Sequence, residues 1–548
     1  MKHLIINNKT HLAIISLISI AFLIFTIFTF ASEITKSNFF LNSDQLFFPY
    51  FYHDIFSLHG KIIDWTFPPS LYFFPDTLIN FVSYFISENL LKFENITLII
   101  QTSLFFILIF FLISYFFDFI TSLTNTLLLI TLFTLLGYLF HEPFGFHLIS
   151  AFHFGNTLNL LIIINLLLRS KYGLYKKYFL ALLVGIFSFS DRLFIIQFTL
   201  PFFILYGGVK NAKSYLYLIP TVLFLVAQKL FIPNMGRLDS NLSLNPYNFV
   251  HKIYQFIDFT FHPFNLVLFK LVIFFPLYIY LIKKNKINNK LVPIFKFYFF
   301  SFIITFLITS LSERDFGSRY LQSYYYFSYI LLFLFISKYK FPSIFFLLVN
   351  LLIFSSVLQN PIIIDKAPIN NDYITCVNKI IKDPVIGVAN YWDAIPTQLL
   401  IQQKNKILIV KDDLSPLNWI TNTSYYKSPV NFIIFNSYSD GSYNLSKNYA
   451  LSFIHQTPVI TSCGNHEIWY YKSPFYLPTL SLLEKVQLTT YGSFIKNPRA
   501  LLLISLNIKK SGDNNKSQLF FNEAISLLKK NNATEKLLEQ YRKIYDGN

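Results

Sequence analysis

Long apolar runs alternate with short polar connections over most of the chain, and the runs have the length that sets them apart from buried core helices. About 20 apolar residues cross the hydrocarbon core of a bilayer. This spacing predicts a first span over His11–Ala31 and further spans over 95–117, 122–140, 150–168, 178–190, 193–208, 214–232, 263–282, 291–311, 321–337 and 341–358. Segment 178–208 also reads as one kinked unit. The expected fold class is a polytopic α-helical membrane protein of about eleven spans. The first run follows Lys2 and Lys9 and is longer than the apolar part of a signal peptide, so it is read as an uncleaved span with a cytoplasmic N-terminus.

The connections sort by charge. Arg169, Lys171, Lys176 and Lys177, then Lys210 and Lys213, then Lys283, Lys284, Lys286 and Lys290, then Lys338 and Lys340 all fall on the N-terminal side in this count, as the positive-inside rule requires. An odd number of spans puts the C-terminal part outside. The unusual polar groups gather on the opposite face: the first loop, 32–94, with its run Leu41–Asp76, then His141–Asn156, Ser190-Asp191-Arg192, Arg237 and Asp239, and Ser312–Tyr320. Charged residues cap spans and arginines snorkel, so no single loop is decisive. Five on one face favour a site there.

From about Asp365 the pattern changes. PVIGVANYWD, NKILIVKDD, VNFIIFNSY and EIWYYKS read as strands, whereas YITCVNKIIK, AIPTQLLIQQ and LSKNYALSFIHQ have helical spacing. The expected organisation is a transmembrane domain over 1–360, a small α/β domain on the outer side over 361–474, and a helical C-terminal segment over 475–548. The last of these carries two or three amphipathic repeats that resemble a tetratricopeptide hairpin.

Composition agrees with the pattern: 54% hydrophobic, 20% aromatic and only 13% charged residues, where a soluble domain carries about a quarter charged. The net charge of +17 resides mainly in the connecting lysines, so it is read as topology and nucleic-acid binding is rejected. Two cysteines in 548 residues exclude a Cys-rich zinc site. Cys376 and Cys463 both fall in the α/β domain, where an oxidising exterior permits a disulfide between them. No GxxxxGK[ST] or GxGxxG run occurs, so neither a P-loop nor a dinucleotide site is supported. The outer carboxylates Asp44, Asp54, Asp64 and Asp76 are candidates for a general base. Arg192, Arg314 and Arg319 are candidates for holding a phosphate through paired donors. Asp76 equally suits a helix N-cap, and Arg319 equally suits interfacial snorkelling. His53, His141, His147 and His153 lack HxxxH or HExxH spacing, so no metal ligand is assigned. His153 and Trp65 join the candidate substrate-binding residues.

Four motif groups carry a resemblance. An acidic first loop after span one, SDQLFFPYFYHDIF followed by DWTFPPSLYFFPD, together with SDRLF, DFGSRY and YWDAIPTQLL, resembles the GT-C superfamily of glycosyltransferases that use polyprenyl-phosphate sugars, and within it a bacterial, largely uncharacterised branch. The resemblance spans residues 1 to about 473. It implies a transferase in the bacterial cytoplasmic (inner) membrane, a lipid-linked sugar as donor, an envelope glycan, lipid or protein as acceptor, and Asp44 as catalytic base. Asp44 is followed by Gln45, where several members carry paired acidic residues, and this leaves a divalent cation open as cofactor. Two other functions stand beside it: a non-enzymatic transporter or flippase of an envelope lipid, and a membrane scaffold. A transporter calls for ionisable or broken sites near the midplane in paired repeats, and the sequence shows neither.

Overall fold

A computed structural model describes residues 43–140, 144–149, 153–169, 174–205, 212–231, 272–276, 291–310, 318–336, 342–359, 371–401, 405–436, 445–477 and 514–546, with short interruptions, and positions within 10–27 and 501–509. The described chain is mostly helical with a small sheet region. Three helices, Lys92–Ser114, Phe119–Leu139 and Val292–Ser310, are long and apolar enough to cross a membrane. Shorter apolar helices, Phe154–Arg169 and Gln322–Ile336 among them, stand where further apolar runs lie. The run 263–282 lies largely outside the described residues, whereas the first span is described in part, as an apolar helix over Ala13–Phe25. Segment 178–208 is broken at Asp191, whose extended backbone and carboxylate cap the helix that follows.

Apolar packing gives lipid-embedded helices no preference for one another over acyl chains, so hydrogen bonds between them matter at about 1 kcal/mol each. Asn156 Nδ2 donates to Gln197 Oε1 at 2.5 Å, and Gln197 Nε2 donates to the Tyr320 carbonyl at 2.8 Å. The Tyr324 hydroxyl lies 2.6 Å from both Ser301 Oγ and Thr305 Oγ1. These contacts join helix Phe154–Arg169 through Gln197 to Tyr320, and helix Val292–Ser310 to helix Gln322–Ile336.

The α/β region is built on a five-stranded mixed sheet. Its strands are β2 (Ile386–Ala389), β3 (Lys406–Ile409), β5 (Val430–Asn436), β6 (Val459–Cys463) and β7 (His466–Phe475), in the order β3-β2-β5-β7-β6. β2 pairs in parallel with β3 and β5, whereas β7 pairs antiparallel with β5 and β6. Helix Tyr391–Leu400 crosses from β2 to β3. Cys376, in helix Asn371–Ile380, and Cys463 form a disulfide with Cα atoms 5.7 Å apart, tying that helix to the sheet edge.

A short pair, β1 (Trp65–Thr66) with β4 (Thr421–Asn422), joins this region to the first loop. The two also share apolar packing: Phe47, Tyr50 and Trp65 lie in one buried cluster with Tyr391, Ile395 and Phe432. The sequence boundary near 361 therefore does not separate the packing. Neither β1, β4 nor β6 was expected from the sequence.

Candidate functional site

The first loop reaches the α/β region at Asp44. Ser43 Oγ donates to the Tyr391 carbonyl, and the Tyr391 hydroxyl donates in return to Asp44 Oδ1. Tyr391 opens a helix whose first turn is capped by Asn390, its Oδ1 accepting from the Asp393 amide at 2.9 Å, so the tyrosine is held rather than free. On its other side Asp44 faces Arg319, with Oδ2 and Nη1 3.8 Å apart. Both side chains are part-exposed, 28% for Asp44 and 39% for Arg319. The Arg319 guanidinium also lies 5.3 Å from the Tyr320 ring centroid. Burial opposes its charge, but Tyr320, Tyr72 and Asp44 outweigh that and shift its pKa upward.

Beside this pair runs a hydrogen-bonded chain, half-buried at Tyr72 and buried at His153 and Asp191. Tyr72 and His153 both adopt left-handed backbone, with φ of 50° and 67°, a conformation that side-chain-bearing residues rarely take. Tyr72 is fixed by its amide, which donates to the Ser190 carbonyl at 2.9 Å. Its hydroxyl lies 3.4 Å from His153 Nε2. His153 Nδ1 lies 2.6 Å from Asp191 Oδ2, while Asp191 Oδ1 accepts from Ser70 Oγ and the Leu193 amide, both at 3.0 Å. A carboxylate so placed selects the imidazole tautomer that presents Nε2 to Tyr72.

Asp76 completes the group. Its carboxyl is buried, and burial together with the neighbouring Asp191 charge pushes its pKa up to about 8, against the opposing backbone amides of Asp76 and Gly155. Gly155 permits this approach, since a Cβ there would stand 1.8 Å from Asp76 Oδ2. The Oδ1 atom has no hydrogen-bond partner among the described residues. At neutral pH Asp76 is thus an acid that keeps its proton. Between about pH 4 and 8 the folded chain holds a proton that the unfolded chain has released, so this group makes stability fall as pH rises through that window. Asp76→Asn is expected to flatten that fall in apparent melting temperature, measured on purified protein across pH 4–9.

The other sequence candidates lie elsewhere. Asp54 is buried and saturated: Oδ2 accepts from Trp65 Nε1 at 2.7 Å and Asn422 Nδ2 at 2.8 Å, and Oδ1 from the Tyr425 hydroxyl at 2.6 Å. Trp65 is itself a core residue against Tyr50 and Phe51. Both fasten the loop to the α/β region instead of facing an opening. Asp64 is half-buried and its carbonyl accepts from Thr423 Oγ1 at 2.9 Å. Arg192 is exposed at the start of the helix that Asp191 caps. His147 is enclosed by Phe105, Phe154 and Tyr326, and burial lowers its pKa to about 4. Arg314 and His141 lie outside the described residues. Among the described residues, no group of three His, Cys, Asp or Glu side chains is arranged to hold a metal ion.

Tyr72, Asp191 and Tyr391 were not singled out as site residues in the sequence. Asp191 stood in the SDRLF motif and Tyr391 in YWDAIPTQLL, so the motif was visible and the individual role was not. Comparisons with protein-family models, with curated proteins and with solved structures find no match for this chain.

Proposed function

We propose that the protein is a membrane glycosyltransferase that moves a sugar from a polyprenyl-phosphate carrier to a cell-envelope acceptor, in the manner of the GT-C enzymes its motifs resemble. In this reading about eleven spans cross the bacterial cytoplasmic membrane, the N-terminus is cytoplasmic, and the site opens on the outer face. The observation that carries it is the Asp44–Arg319 pair, a carboxylate and a guanidinium that are close, part-exposed and held by different segments. At 3.8 Å the pair is loose, and phosphate oxygens match the paired donors of arginine. The acceptor hydroxyl attacks the anomeric carbon with inversion as the bond from that carbon to the phosphate oxygen breaks. The electron pair leaves on the carrier phosphate beside Arg319, and the hydroxyl proton passes to Asp44.

The donor's lipid is supported by the helix Leu78–Ile86, which starts two residues after Asp76. Ile79, Asn80, Ser83 and Tyr84 are buried, while Leu78, Phe81, Val82, Phe85 and Ile86 are exposed. An amphipathic helix with such an apolar face suits the boundary between headgroups and acyl chains, where a polyprenyl tail lies. Arg319→Lys keeps the charge but loses the paired geometry, so KM for the lipid-linked donor is expected to rise about tenfold, and kcat to fall as well because the phosphate gains charge beside this residue as it leaves. Cells lacking the protein are expected to accumulate lipid-linked sugar, and the wild-type chain to clear it. A normal lipid-linked pool in those cells would count against the reading.

A further inference from the structure

Of the four tryptophans, Trp65 and Trp469 are buried and Trp419 is half-buried, whereas Trp392 is 40% exposed. It follows Tyr391, the residue bonded to Asp44, and its ring stands edge-on to Tyr391 with centroids 4.9 Å apart. Its backbone is fixed in the Asn390-capped first turn, and the next six residues, Asp393 to Gln398, are all buried. Trp392 is therefore the exposed residue of an otherwise buried stretch of helix.

Its place in the sheet matters as much as its exposure. β2 ends at Ala389 with its parallel neighbours β3 and β5 on opposite sides: the chain passes from β2 to β3 on one side and later returns to β5 on the other, so the strand order reverses across β2. Open α/β sheets bind ligands in the crevice outside the carboxyl ends of their strands, at such a switch point. Here that end of the sheet meets the first loop, which brings Asp44 to it.

We propose that Trp392 is a stacking platform for a pyranose ring of the acceptor, which makes the acceptor a glycan. The flat, rigid indole offers a large apolar face at small cost in conformational freedom, and it retains a polar edge for hydroxyls. Tyr391 is the positioning residue: its hydroxyl holds Asp44, and its backbone places Trp392 on the adjoining surface. The acceptor role rests on the transferase reading, but sugar binding does not.

The test uses the purified full-length protein in detergent, with maltohexaose and chitohexaose as separate probes, tryptophan emission as the readout for wild type and isothermal titration calorimetry as the readout for every variant. Wild type is expected to give a saturable blue shift with at least one probe. Trp392→Phe keeps weaker binding and Trp392→Ala weakens it at least about tenfold. No saturable shift with either probe, or equal binding by Trp392→Ala, overturns the proposal. Quenching of Trp392 by brominated phospholipid in nanodiscs, undiminished by either sugar, also overturns it and assigns the residue to the membrane. Sugar binding retained in a protein that transfers nothing overturns the transferase reading alone.

Discussion

Asp44→Asn is expected to reduce sugar transfer by about 10²-fold or more, the range lost when a general base is removed. Asparagine matches aspartate in size and can still accept from the Tyr391 hydroxyl, so the clasp between loop and α/β region survives. The protein should accumulate and melt as wild type, with the loss confined to kcat. Donor KM should change far less than in Arg319→Lys, because the two residues meet different parts of the substrate. A kinetic comparison of the two variants on one donor preparation checks this separation.

The second large effect is structural. Asp54 joins Trp65 on the first loop to Asn422 and Tyr425 on the α/β region, and Gly60 makes room for it, since a Cβ there would lie 2.0 Å from Oδ2. Asp54→Ala leaves Trp65 Nε1 and Asn422 Nδ2 buried without their acceptor, at about 1–3 kcal/mol each. Hydrogen exchange should rise at β1, β4 and residues 423–427 while the core of the five-stranded sheet stays protected. Because Asp44 depends on Tyr391, transfer should fall as well, although Asp54 touches no substrate. Unchanged exchange at β1 and β4 would show that the shared apolar core is sufficient to dock the two parts.

Hydrophobic pattern made much of this legible in advance. Apolar runs of span length became helices in most of the described places, because a bilayer rewards length and composition that a sequence displays directly. The strands β2, β3, β5 and β7 and the helices between them followed from β-branched runs against helical spacing. β6 was missed because Val459–Cys463 is short and largely exposed, and β1 and β4 because two-residue pairings are set by docking. The site divides in the same way. Asp44, Asp76, His153 and Arg319 were visible as polar residues clustered on one face, and the structure brings them together. Asp54 and Trp65 looked no different from them in sequence. What separates the two sets is burial and partner saturation, which depend on contacts more than 350 residues away in the chain, such as Asp54 with Asn422. Tyr391 escaped for the same reason: its role exists only once the carboxyl end of the sheet meets the first loop.

Reconstitution tests the central claim most directly. Purified protein in proteoliposomes is given a polyprenyl-phosphate sugar labelled in the sugar ring, with a soluble glycan acceptor outside. The transferase reading predicts that label moves to the acceptor with equimolar release of polyprenyl phosphate, and that Asp44→Asn abolishes both while leaving the donor bound. Movement of intact labelled donor between leaflets, with no cleavage of the sugar–phosphate bond by wild type, would contradict it and favour a transporter.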